Sequence, residues 1–155
     1  MGHCFKEKYF ILMLALLVAS GVAFSGEVIQ TQESDSWDGI SAGLKSMEVK
    51  DNIITVKFIL RNSGTKKHSV KINYNACYLM DAANQKKYFP LKDSDGLFIA
   101  GPMYDQGDGG RFWFDMNAGE SKGMWIKFPQ PTDNPETISI AVPGIFPFED
   151  ITLTK

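Results

Sequence analysis

Apolar and polar residues alternate with a period of two along most of this chain, and that pattern predicts strands. Met47 and Val49 alternate with Glu48 and Lys50; Ile54, Val56, Phe58 and Leu60 alternate with Thr55, Lys57, Ile59 and Arg61. Side chains on a strand point to opposite faces in turn, so each run has one face toward a core. Asp51-Asn52 lies between the two runs and predicts a tight hairpin turn. Asn62-Ser63-Gly64-Thr65 stops the second run with residues that tolerate left-handed backbone. Val70, Ile72 and Tyr74 form the next alternating run.

Residues 78–96, YLMDAANQKKYFPLKDSDG, organise the middle of the chain. Residues 76–80 suit a pleated surface, residues 82–85 offer a polar turn, and residues 87–91 run back as a second strand. Pro90 lacks the N–H a ladder needs, which puts that strand at a sheet edge. Residues 111–115 read as a strand, residues 117–120 as a turn, and Met124, Ile126 and Phe128 as an inward face. Residues 129–135 contain three prolines and predict a loop crossing between sheets. Ile138, Ile140 and Val142 form another strand, which Pro143 ends, and residues 148–153 form a last short one. No apolar residues recur at helical spacing over three turns after the N-terminal segment. About eight short strands separated by turn signals predict an all-β, antiparallel β-sandwich.

The start of the chain follows a different rule. Lys6 and Lys8 precede an apolar run over residues 10–19, and Ala23-Phe24-Ser25 supplies small residues before Gly26. That is the layout of a secretory signal peptide over residues 1–25, too short for a stable membrane span. Cys4 lies ahead of the apolar run, so it cannot be a lipid-modified cysteine at a cleavage site. Residues 26–44 are polar and glycine-spaced and predict an extended leader that adds at most an edge strand, with Trp37 covering one open end of the core. The sandwich is expected over residues 45–155.

Charge and cysteine content narrow the partners. The formal net charge is −2, and the only short basic runs, Lys66-Lys67-His68 and Lys86-Lys87, fall at expected turns. Nucleic-acid binding needs clustered cations to neutralise phosphates, so no nucleic-acid partner is expected. Cys77 is the one cysteine after the signal segment, which excludes an internal disulfide. It shares the inward face of its strand with Leu79, which predicts a buried, inert thiol.

The segments ILRNSG, YLMDAANQKKYFPLKDSDG, AGESKGMWIKFPQP and ISIAVPGIFPFEDITL resemble the immunoglobulin-like domain of bacterial envelope proteins, over roughly residues 45–155. In such proteins that domain often precedes an OmpA-type peptidoglycan-binding domain. The resemblance implies an immunoglobulin-like sandwich of about seven or eight strands and a location in the periplasm or outside the cell. It brings no catalytic residues. No peptidoglycan-binding segment follows FPFEDI in this sequence, so the partner of a free-standing copy stays open.

Three kinds of chemistry lie within reach of these residue types. Asp93 and Asp95, with Asp105 and Asp108, are carboxylates of the kind calcium takes, six to eight oxygens at a time. The Asp-Ser-Asp-Gly spacing lacks the third acidic position and the distant Glu of an EF-hand loop. Aspartates in such a loop also make turns by bonding their own backbone. No metal is therefore expected, with calcium at Asp93 and Asp95 as the alternative. Trp113 and Trp125 would share an outer face across a hairpin, as a platform for a sugar ring, or else be partly covered by loops. His68 is the sole histidine after residue 25, and no Gly-x-Ser-x-Gly segment or phosphate loop occurs, so an enzyme is not expected.

The expected function is thus an exported, non-catalytic sandwich that binds another envelope component, protein or polymer, without cofactor. Its expected contact surface is the loop over residues 93–110 with Tyr104 as anchor, together with the sheet edges. The alternatives are a proteinase inhibitor presenting residues 101–110 and a carbohydrate-binding module using Trp113 and Trp125.

Overall fold

The computed structural model describes residues 27–103 and 105–153, with the backbone alone at Asp108. The expected signal peptide over residues 1–25 and the expected anchor Tyr104 lie outside the described residues. The described residues form ten strands and no α-helix: β1 (Gln30–Glu33), β2 (Ile40–Lys50), β3 (Ile53–Asn62), β4 (His68–Asn73), β5 (Tyr78–Asp81), β6 (Lys86–Tyr88), β7 (Arg111–Met116), β8 (Ser121–Pro129), β9 (Thr137–Val142) and β10 (Ile145–Thr152). All pairings are antiparallel.

One sheet has the order β1-β2-β3-β8 and the other β10-β9-β5-β6. A two-stranded ribbon, β4-β7, continues into the second sheet through the 3-10 turn Tyr74–Ala76, which joins β4 to β5. The sheets share one core, and the Phe58 and Phe148 rings meet across it with centroids 5.5 Å apart. This is an antiparallel β-sandwich. The proline-rich segment after β8 carries the chain from the first sheet to the second, as its composition predicts.

Local chemistry accounts for the turns. Asp51 and Asn52 have φ of 51° and 62°, the pair of positive values a type I′ hairpin turn requires. The turn at residues 82–85 is held by buried Asp81, whose carboxylate accepts the Asn84 backbone N–H at 3.1 Å and the Asn84 side-chain N–H at 2.8 Å. β6 is short, leads to Pro90 and lies at the edge of its sheet. Gly144 turns β9 into β10 with φ of 86°; a Cβ there would sit 2.4 Å from Trp37 ring carbons. Trp37 packs against the core beside that turn.

Residues 26–44 are not simply a leader, and the boundary at residue 45 is corrected. They supply the edge strand β1, but Ile40, Ala42 and Leu44 are buried core residues of β2. A register shift between Leu44 and Ser46 lets both Leu44 and Met47 face inward, which breaks the period of two. The final strand also starts earlier than residue 148. Ile145, Phe148 and Ile151 are all buried at a spacing of three because two register shifts interrupt β10.

Cys77 is fully buried, and burial pushes its thiol up to about 12, from an ordinary 9.0. Its S–H donates weakly to the Asn73 carbonyl at 3.5 Å. A thiol reagent is expected to leave Cys77 unlabelled until the chain unfolds. The folded state holds this proton more tightly than the unfolded state, so stability is retained below pH 9 and falls as pH rises toward 12. The slope is roughly 1.4 kcal/mol per pH unit for one proton. Urea unfolding across that range measures it as the difference in slope between wild type and Cys77→Ala, since the other groups that titrate there, buried Tyr74 among them, are common to both. Rapid labelling in native buffer would contradict the inward register of the whole segment.

Candidate functional site

β8 is the outer strand of the first sheet, and residues 91–101 dock along its free edge. The Leu91 N–H donates to the Lys127 carbonyl at 3.0 Å, the Lys127 N–H to the Ala100 carbonyl at 2.6 Å, and the Ile99 N–H to the Leu91 carbonyl at 3.0 Å. Lys92 and Phe98 form an antiparallel bridge. The segment therefore alternates like a strand: Phe98 and Ala100 are buried, while Leu97 and Ile99 are 47% and 55% exposed. Gly101 completes the contact. A Cβ there would lie 2.4 Å from the Trp125 carbonyl oxygen and 2.6 Å from the Tyr74 hydroxyl.

This docking holds two exposed aliphatic residues, Leu97 and Ile99, at the edge of β8, the strand whose outer face carries Trp125, itself 37% exposed. Trp125 lies opposite Lys57 of β3, and the Lys127 ammonium is 5.5 Å from its ring centroid. Lys57 is held by Glu48 at 2.7 Å. Two residues before Trp125 on the same face, Gly123 leaves open space; a Cβ there would touch only the Phe58 carbonyl, 4.0 Å away. The surface is an indole ring bordered by bare backbone and cations, with exposed aliphatic side chains on the segment docked at the edge of the same strand. Such a surface can stack a planar or pyranose ring or receive apolar side chains of a partner.

The acidic loop is differently employed. One Asp93 carboxylate oxygen accepts the N–H of Asp95 at 3.0 Å and of Leu97 at 2.9 Å, so Asp93 builds the turn. Asp95 is exposed at the tip. Asp105 holds Arg111 in a two-pronged pair, Nε to Oδ1 at 3.0 Å and Nη2 to Oδ2 at 2.6 Å. Those hydrogen bonds hold its carboxyl below the usual carboxylate range. Gln106 clasps Phe98, donating to its carbonyl and accepting its N–H, both at 3.1 Å. The Tyr74 hydroxyl donates to the Pro102 carbonyl. The loop is tied down at several points, and among the described residues no three metal-ligating side chains come together. The side chain of Asp108 lies outside the described residues.

Trp113 and Trp125 do not form one platform. β7 pairs with β4 and β8 pairs with β3, so the two tryptophans belong to different sheets despite the short turn between their strands. Trp113 lies opposite Lys71 and donates its indole N–H to the Ser69 hydroxyl at 2.5 Å. Sequence reasoning therefore found Trp125 but missed Leu97 and Ile99. The alternation of Leu97, Phe98, Ile99 and Ala100 was the available signal, weakened by its position after an acidic glycine turn.

No family model matches the chain, and no curated protein matches its sequence. Among solved structures it is similar to that of a functionally unknown protein from Listeria monocytogenes EGD-e, at 13% identity and a TM-score of 0.41. That likeness covers 83% of this chain and 88% of the other.

Proposed function

We propose that this chain is an exported, non-catalytic binding module of the cell envelope, with an immunoglobulin-like sandwich presenting Leu97, Ile99 and Trp125 to its partner. One observation supports this reading: three large apolar side chains stay in solvent, yet the backbone bearing them is fixed to a core strand. Exposed apolar residues scattered singly need no explanation, but three held by one rigid strand and the segment docked on its edge fit a contact surface. The partner is an envelope protein or polymer. The calcium and inhibitor-loop readings draw less support because Asp93, Asp105 and Gln106 are engaged in holding the loop itself, and the paired-tryptophan reading because Trp113 and Trp125 belong to different sheets.

Immobilised mature protein should retain isolated peptidoglycan or a purified envelope-protein fraction. Ile99→Ser is expected to weaken that retention about tenfold, the effect of one interface anchor, with stability changed by less than about 0.5 kcal/mol. Trp125→Ala is expected to do the same to either class of partner. Retention of glycan lost with Trp125 but untouched by Ile99→Ser would make the ring a sugar platform. Equal retention by wild type and both variants would reject the surface. Exported material is expected to begin near Gly26 by intact mass; a mass matching residues 1–155 outside the cytoplasm would reject the cleavage.

A further inference from the structure

The outer face of the second sheet, on the other side of the sandwich from Trp125, carries apolar side chains where a solvent face is ordinarily polar. Two rows of residues cross it. In the first, Phe89 just beyond β6 meets Tyr78 of β5 with ring centroids 6.4 Å apart, and Tyr78 lies opposite Ala141 of β9. Ala141 in turn lies beside the Phe146-Pro147 bulge of β10, where the register shifts. In the second, Lys87 lies opposite Met80, and Met80 opposite Ser139. Glu149 follows on β10, between the pairs Phe148–Ile140 and Ile151–Ile138 that bracket Ser139.

Within each row the β5 residue is large and its β9 neighbour small. Tyr78 and Met80 rise from β5, while Ala141 and Ser139 floor a hollow of about 200 Å³ whose far wall is Pro147 and Glu149. Phe89 and Phe146, at the two ends of the first row, are 53% and 51% exposed. The charge is divided in the same way. Lys87 rises from β6 with its ammonium over the Tyr78 ring, 4.0 Å from the centroid, and Glu149 and Asp150 stand at the β10 flank, with Glu136 near Asp150.

We infer that this face is a docking surface for a second copy of the same chain, related by a two-fold axis parallel to the strands between β5 and β9. That rotation lays β6 of one copy over β10 of the other, and β5 over β9. Each Tyr78 then meets the hollow over the other copy's Ala141, and each Met80 meets the other copy's Ser139. The same operation brings Lys87 against Glu149 and Phe89 against Phe146, and every contact is made twice. A surface whose reversed image complements itself in both size and charge is what a two-fold interface requires. Nearly aligned sheets are a common packing for such faces. The face spans four strands only, so the dimer belongs with small, micromolar interfaces.

Sedimentation equilibrium of the mature chain over a range of concentrations tests the inference. Wild type is expected to dimerise reversibly, Lys87→Glu and Glu149→Lys each to weaken the dimer at least tenfold, and the double exchange to restore it to within about threefold. Circular dichroism verifies that each variant is folded. Independently of any effect on stability, a mixture of Lys87→Cys and Glu149→Cys chains is expected to form a disulfide between unlike copies under mild oxidation. A wild type that stays monomeric up to millimolar concentration overturns the inference. So does a double exchange no better than the single ones, or an unlike-copy disulfide no more abundant than like-copy ones.

Discussion

Phe148→Ala is expected to remove about 3–5 kcal/mol of stability, the range for emptying a large aromatic site in a packed core. Phe148 is 1% exposed, and its ring fills the space between the sheets against Phe58 at 5.5 Å. Truncation there removes apolar contact and leaves a hole that two rigid sheets cannot close. Against a total of about 5–15 kcal/mol for a domain, that loss brings the folded state near its limit. Urea unfolding followed by tryptophan fluorescence measures it. A change under about 1 kcal/mol would mean the sheets do not share a core at this point.

Asn62→Ala is expected to cost about 2–4 kcal/mol, from unsatisfied hydrogen-bonding groups and not from lost volume. Asn62 is 1% exposed at the end of β3. Its Nδ2 donates to the Lys66 carbonyl at 2.8 Å and the Met116 carbonyl at 3.2 Å, and its Oδ1 accepts the Gly64 N–H at 3.0 Å. One side chain thus joins the first sheet, the following turn and the end of β7. Asn62→Asp is the sharper test, because a carboxylate set against two carbonyl oxygens is repelled while a carboxylic acid can donate to one. Its carboxyl is expected above the usual range in the folded state, so the variant should be less stable than Asn62→Ala at pH 7. It should then recover as pH falls through that raised value. Equal stability of the two variants across pH would mean water reaches the site.

Most of the sandwich was legible because its strands obey a period of two and its turns carry the residues that positive φ demands. Cys77 and Leu79 face inward, Pro90 follows an edge strand, and Asp51-Asn52 turns β2 into β3, all as the pattern implies. The pattern failed where a bulge shifts the phase. In β2 one extra residue puts Ile40, Ala42 and Leu44 out of phase with Met47, and in β10 two shifts turn alternation into a spacing of three. The site was half legible for a related reason. Trp125 announces itself by type, but what borders it depends on residues 91–101 docking at a strand edge, and local spacing carries no record of such long-range pairing. The proximity of Trp113 and Trp125 in sequence was misleading because the turn between β7 and β8 changes sheets.

The joining of β1 to β10 has a consequence for how the chain acquires its structure. The Ser34 hydroxyl donates to the Gly144 carbonyl at 2.6 Å across 110 residues, and the Glu149 N–H to the Gln30 side chain at 3.2 Å across 119 residues. Ser34 and Ile145 also form a bridge. Contacts between such distant parts of the sequence must be reached before they repay the loop entropy spent in forming them, so folding is expected on the millisecond-to-second scale. Until residues 144–151 are present, the core lacks Phe148 and one side of the sandwich stands open. A nascent chain therefore cannot close its core until synthesis has passed β10.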